Sequence, residues 1–269
     1  MSEEVLQEAL MAFEKGDYKN GFSQLQDLAL KGNSRAQFAF GSMWAEGQGV
    51  QKNDEEALKW FRLSAQQGFS EAQYNLGIFY KNGRVVDKNY EEAMRWFRLA
   101  AEGGKVEANY NLGVMHREGL GTQKNLRESL KYLTLAAEQG QAHAQHTIAL
   151  MYLKGEGVLQ NINECIKWAE LAAAQKFSEA ERLLGIVYGN GELVERNDKE
   201  AMKWFLRAAN NGNIDAQYTI GWMYFNGHGV KTNSDEALKW LCLARDNGHK
   251  NAEEILQEID KRKRRWFGF

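Results

Sequence analysis

The chain has 269 residues, 43% of them hydrophobic and 26% charged, with a formal net charge of −2. That is an ordinary soluble composition, and its charge balance excludes a nucleic-acid binder acting through the whole chain. No apolar run approaches the roughly 18 residues a membrane-spanning helix requires, and the opening MSEEVLQEALMAFEKG carries acids where a secretory signal needs positive charge followed by an apolar run, so export by that route is not expected.

In chain order, residues 3–15 and 18–31 read as a helix pair with Asp17 as an N-cap and no long loop inside the pair. Beyond it the chain becomes periodic. Ala36, Ala72, Ala108, Ala144, Ala180, Ala216 and Ala252 recur at intervals of 36, and Trp60, Trp96, Trp168, Trp204 and Trp240 keep the same interval with Tyr132 in the one gap. A period of roughly 20–50 residues signals a stacked array whose units are each too small to bury their own apolar face. One continuous all-α solenoid of 36-residue helical hairpins is predicted: a capping pair over 1–33, six repeats over 34–69, 70–105, 106–141, 142–177, 178–213 and 214–249, and a capping helix with a tail over 250–269.

Within the second repeat, Ala72, Leu76, Gly77, Phe79 and Tyr80 fall at helical spacing. Gly77 recurs as Gly41, Gly113, Gly185 and Gly221, with Ala149 the one variant. Glycine in mid-helix costs about 1 kcal/mol against alanine, so a close helix–helix contact is expected to offset it. The first helix should end at Gly83 and its equivalents, which suit the left-handed C-terminal position. After a short loop, Asn-x-x-Glu opens the second helix in all six repeats, from Asn53/Glu56 to Asn233/Glu236. This reads as a capping box rather than an array of polar catalytic sites. The second helix then places Ala57, Leu58, Trp60 and Phe61 on one face, which makes the tryptophan column core. Absence of proline from the whole chain suits an array that is nearly all helix.

At the far end, Ala252 to about Arg264 reads as one amphipathic helix. Lys261, Arg262, Lys263, Arg264 and Arg265, followed by Trp266, are the one strong charge run. Cations favour a helix C-terminus, and a solvated, frayed end is the expectation; an acidic partner, a nucleic acid or a membrane surface is the alternative for this segment. Cys165 falls in the column of Ala57, Ala93 and Ala201 and should be buried, whereas Cys242 aligns with Arg62 and Arg98 and should be exposed. Two cysteines two repeats apart lie beyond disulfide reach, which fits a reducing compartment.

Ala72-Gln-Tyr-Asn-Leu-Gly77, Tyr80, Gly83, Val86, Ala93, Trp96 and Ala100-Ala101, recurring from about residue 34 to 248, resemble the Sel-one-like repeat family, relatives of the tetratricopeptide repeat with a longer loop between the two helices. The match weakens in the fourth and fifth repeats, where Ala149 replaces the helix glycine, Leu193 the loop glycine and Lys176 the terminal glycine; local curvature is what these changes touch. The resemblance implies a right-handed α/α superhelix whose first helices line a concave face, and a role in protein–protein interaction as adaptor or scaffold. In bacteria some members neutralise toxins, so a stoichiometric inhibitor such as an immunity protein is the alternative. Some members carry a disulfide in each repeat; this chain lacks those cysteines, which favours a cytoplasmic member.

No triad, phosphate loop or metal-ligand cluster emerges, and no enzymatic activity, cofactor or metal is expected. His143 and His146, three apart on one helix with Glu107 or Glu179 at hand, have the outline of a metal site. Two histidines at one helical spacing are common by chance, and solvated or partner-contacting rings are the reading taken. His116 falls in the column of Tyr80 and Tyr152 and should lie in the core or at its rim. Gly-x-Gly pairs such as Gly47-x-Gly49 follow helices instead of opening them, so they lack anion-binding geometry. If first helices line the inner face, the exposed columns are those of Glu71, Tyr74, Ile78 and Lys81. Tyr74, Tyr110, Arg117, His146, Arg182, Tyr218, Trp222 and Phe225 then form a mixed aromatic and cationic strip for another protein or peptide, the residue types over-represented among binding hot spots. The tyrosine column also suits packing, whereas Trp222 and Phe225 are expected to meet the partner.

Overall fold

The computed structural model describes residues 2–267; the side chains at 2, 3, 14, 19, 20 and 263–267 lie outside that description. The described residues form fifteen α-helices and no strand. They fall into two compact units, Met1–Gln139 and Gly140–Phe269, where the periodicity alone predicts one uninterrupted stack. Unit one holds α1 (Ser2–Glu14), α2 (Tyr18–Leu30), α3 (Ser34–Glu46), α4 (Asp54–Gln66), α5 (Ser70–Asn82), α6 (Tyr90–Glu102), α7 (Val106–Glu118) and α8 (Leu126–Glu138). Unit two holds α9 (Ala142–Lys154), α10 (Ile162–Ala174), α11 (Ser178–Asn190), α12 (Asp198–Asn210), α13 (Ile214–Asn226), α14 (Ser234–Asp246) and α15 (Ala252–Phe267). Inside each unit every helix packs on the next one along the chain. Leu6, Leu25 and Leu28 of the opening pair join Ala36, Phe40 and Met43 in one core, and Leu256 and Ile259 of α15 join Ala237, Leu241 and Ala244 in another.

Each second helix starts on an asparagine whose Oδ1 accepts the backbone N–H of the glutamate three residues on, at 3.0–3.2 Å, as in Asn89–Glu92 and Asn161–Glu164. Only this half of the predicted capping box forms. The asparagine N–H, which the glutamate was expected to reach, donates instead to a first-helix carbonyl across the loop: Asn53 to Trp44, Asn89 to Tyr80, Asn125 to His116, Asn161 to Tyr152, Asn197 to Tyr188 and Asn233 to Tyr224. With that donor engaged, each glutamate turns outward to a cation one turn on, as in Glu92–Arg95 at 3.2 Å and Glu200–Lys203 at 2.7 Å. The capping asparagine therefore fixes both the start of the second helix and the closure of the loop.

Close approach explains the mid-helix glycines. A Cβ built on Gly77 would lie 2.5 Å from the Phe97 ring, and one on Gly113, Gly185 or Gly221 would meet Leu133, Phe205 or Leu241 at 2.6–2.8 Å. The partner is always twenty residues ahead, on the second helix of the same hairpin. For the variant Ala149 that partner is Ala169, and both are fully buried. The fourth repeat thus exchanges a glycine–large pair for an alanine–alanine pair and keeps the helices packed. Lys176, where the other repeats have glycine, still takes a left-handed φ of 61°, so the backbone turn survives the substitution.

The aromatic core column is one residue beyond the tryptophans. Phe61 and Phe97 are buried with Leu133 and Leu241, whereas among the tryptophans only Trp60 and Trp240 are buried and Trp96, Trp168 and Trp204 are half-buried. Lys or Arg side chains from the preceding position lie over several of these rings, as Lys167 over Trp168 at 5.7 Å, so the column seals the core edge beneath a cationic cover.

A buried amide ladder ties neighbouring hairpins together inside each unit. Gln37, Gln73 and Gln217 donate to the carbonyls of Ala29, Ala65 and Ala209 at 3.1–3.3 Å. Gln37, Gln145 and Gln217 accept from Gln67, Gln175 and Asn247, thirty residues ahead. In the fifth repeat this column holds Glu181, fully buried, which accepts from Asn211 at 2.8 Å but has no proton to donate. Arg207 supplies what is missing: its Nε donates to Glu181 at 3.1 Å and its Nη2 to the Ala173 carbonyl at 2.9 Å. Leu63, Leu99, Leu135, Leu171 and Leu243 occupy the equivalent of Arg207 elsewhere. The exchange of Gln and Leu for Glu and Arg is therefore a matched pair.

Candidate protein-interaction surface

In unit one, Tyr74, Tyr110 and Arg117 project from α5 and α7 and are each half-buried. The Tyr74 ring packs on Phe97 at 5.7 Å, its hydroxyl accepts from Asn111 at 3.4 Å, and burial raises its pKa. Lys81 donates to the same Asn111 at 2.8 Å, and burial holds its pKa below the usual lysine range. Tyr74 is thus both a packing residue and part of a polar cluster with Asn111 and Lys81. His116 is buried and stacked parallel to Tyr132 at 5.5 Å, and burial is the main cause that lowers its pKa.

In unit two, His146 departs from the solvated ring expected of it, since it is half-buried. Burial lowers its pKa to about 4, and its Nδ1 meets no protein hydrogen-bond partner, so near neutral pH the ring is uncharged. It packs on Phe177 at 5.5 Å, and the exposed His143 packs on the same ring at 4.7 Å. Among the described residues no group of three or more His, Cys, Asp or Glu is placed to hold a metal ion. Arg182 reaches Asp215 at 3.8 Å, an exposed pair of little energetic weight.

Tyr218 stacks on His249 at 4.1 Å, and Arg262 of α15 lies over Phe225 at 4.0 Å. Both aromatics are therefore partly covered by the C-terminal end of this unit. Phe225 differs here from its expected place in an open strip, because the cap helix, whose sequence does not state where it docks, brings a guanidinium onto its ring. Trp222 is the exposed member, at 37% exposure, with its indole stacked on His228 at 4.7 Å and 11°. Sequence spacing does not reveal the Tyr218–His249 and Trp222–His228 stacks, since both histidines lie outside the first-helix columns.

Beside Trp222, α11, the start of α12 and α13 enclose an open cavity of about 380 Å³, absent from the sequence-level picture. A smaller one of about 210 Å³, lined by Leu153, Ile162 and Leu193, shares Ile186 and Asn190 with it. In the basic segment, Lys261 and Arg262 are exposed, and Arg262 also reaches Glu258 at 3.4 Å; the side chains of Lys263, Arg264 and Arg265 lie outside the described residues. Cys165 is buried, which raises its thiol pKa to about 11, but Cys242 is half-buried against α15, contrary to the exposed position its column suggests. No helix among the described residues is long and apolar enough to cross a membrane.

The Sel1 repeat profile matches residues 34–69, 70–105, 106–141, 142–177, 178–213 and 214–249. A Sel1 repeat protein from Oxalobacter formigenes is 32% identical, with a TM-score of 0.81 over 89% of this chain and 96% of that one. A protective antigen of uropathogenic Escherichia coli strains is 33% identical, with a TM-score of 0.83 over 88% of this chain; the chain spans 51% of that protein. An immunity protein from Pseudomonas aeruginosa is 20% identical over 85% of this chain and 82% of that one, with a TM-score of 0.49, a likeness too distant to bear on function. No curated protein matches the sequence.

Proposed function

Because the chain belongs to the Sel1 repeat family, we propose that it is a non-catalytic scaffold or adaptor that binds a partner protein or peptide along the face lined by its first helices. Trp222 carries this reading. It is a large ring, 37% exposed and stacked on His228, on a helix whose other face is core. Rigid aromatics beside arginine are the commonest anchors of protein interfaces, and Arg182 lies on the preceding first helix, α11. A cytoplasmic setting is part of the proposal, and two free cysteines fit it.

The partner is to be identified by affinity capture with mass spectrometry, and its binding then measured by calorimetry. Trp222→Ala or Arg182→Ala should weaken it by about 2 kcal/mol or more with the fold intact. Arg98→Ala, on the exposed face of a second helix, should change little. Normal binding by the first-helix variants with loss in Arg98→Ala would overturn the proposal. A partner enzyme inhibited at one-to-one stoichiometry would assign the surface to neutralisation instead of scaffolding.

A further inference from the structure

Gly189 lines the 380 Å³ cavity beside Trp222. Gly189 occupies the first-helix column that holds Ala45, Lys81, Arg117, Leu153 and Phe225 in the other repeats. Where those repeats project a side chain, the fifth projects none, and a Cβ placed there would meet only the Ala201 Cβ at 3.5 Å, an ordinary contact. Glycine is thus not demanded by close packing at this point, unlike at Gly185 one turn earlier, whose Cβ would lie 2.8 Å from Phe205. Voids much larger than a water molecule are few in packed interiors, and about 380 Å³ lies within the size range of ligand pockets.

The lining specifies the occupant. Ile186, Phe205 and Met223 make apolar walls, and the exposed Trp222 indole, stacked on His228, stands at the edge. The two formal charges at the rim, Arg196 and Asp198, are joined by two hydrogen bonds of 2.7 and 3.1 Å and so neutralise each other. A charged occupant would lose hydration without gaining an unengaged counter-charge. A small aliphatic occupant would leave the indole face without the offset or edge contact that aromatic pairs prefer.

We propose that the cavity lined by Gly189 is a socket for one uncharged aromatic side chain of a partner polypeptide. This rests on the first-helix face being the binding face and adds the chemistry of one anchor to it.

The test uses the whole chain and small probes, without the partner. N-acetyl-tryptophanamide, N-acetyl-leucinamide and N-acetyl-lysinamide are titrated to about 10 mM while backbone amide and indole resonances are followed by NMR, because a single anchor binds no tighter than roughly millimolar. Saturable shifts at Gly189, Trp222 and His228 are expected with the tryptophan amide and about tenfold weaker binding with the other two. Gly189→Leu projects a side chain into the cavity and should weaken binding by about tenfold or more without lowering the melting temperature; Trp222→Ala, which cannot clash, should weaken it as well. No saturable shift with the aromatic amide, equal binding of the leucine or lysine amide, or an undiminished response in Gly189→Leu would each overturn the socket. None of these outcomes touches the calorimetric test of the first-helix face, which stands or falls on Arg182 and Trp222 against Arg98.

Discussion

Replacing Arg207 with leucine gives the fifth repeat the residue found at that position in every other repeat, yet it should be among the most damaging surface-facing changes in the molecule. Glu181 is fully buried, and its carboxylate is held by Arg207 at 3.1 Å and Asn211 at 2.8 Å. Removing the guanidinium leaves a buried anion with one neutral donor and also frees the Ala173 carbonyl, which Arg207 serves at 2.9 Å. Breaking a buried pair by deleting one partner costs about 3–5 kcal/mol. Glu181→Gln should cost about 1 kcal/mol or less, since an amide there can donate to Ala173 as Gln73 does to Ala65, while Arg207, 48% exposed, turns to water. The double variant recreates the ladder of the other repeats and should lie near the parent protein, giving a coupling of about 3–6 kcal/mol between the two sites. Denaturant unfolding of the four proteins, followed by circular dichroism, measures this cycle. Single effects that simply add in the double variant, or a loss below about 0.5 kcal/mol for Arg207→Leu, would refute the matched-pair account.

Gly185→Ala should destabilise by about 1–3 kcal/mol in thermal melts through overpacking against Phe205, and an unchanged melting temperature would refute the close-approach account of this glycine. Ser129 is fully buried with its hydroxyl unpartnered, in a column that is alanine in four other repeats; Ser129→Ala should raise stability by about 1 kcal/mol, and a loss on unfolding would show the hydroxyl to be bonded. Asn161→Ala removes an N-cap and should cost about 0.5–2 kcal/mol without altering partner binding. His146, at about 4 in the folded chain against an ordinary 6.5, binds its proton less readily folded than unfolded. Stability should therefore decline as pH falls through about 6.5 towards 4, by up to about 3 kcal/mol at the lower limit. Denaturation at stepped pH should show that slope flattened in His146→Tyr; an unchanged slope would place the titration elsewhere.

What the amino-acid order determines here is whatever repeats. A hydrophobic column that returns every 36 residues has one economical burial, against the same column of its neighbour, so the all-α hairpins, their start at asparagine, their stop at glycine and the close approach at Gly77 are all legible in the sequence. The exceptions are half legible: Ala149 and Glu181 stand out against their columns, but their consequences depend on partners twenty or more residues away. Ala149 is harmless because Ala169 faces it, and Glu181 is tolerable because Arg207 does. The capping glutamates could not be placed without knowing that each asparagine N–H is already taken by a carbonyl across the loop. At the candidate surface, column membership identifies the projecting residues but not their charge state or cover. Burial makes His146 neutral, the docking of α15 lays Arg262 over Phe225, and the cavity that Gly189 lines takes its walls from α11, α12 and α13 together. Periodicity is a local, additive property and survives in one dimension; desolvation, stacking and voids arise between elements, and only the packed structure decides them.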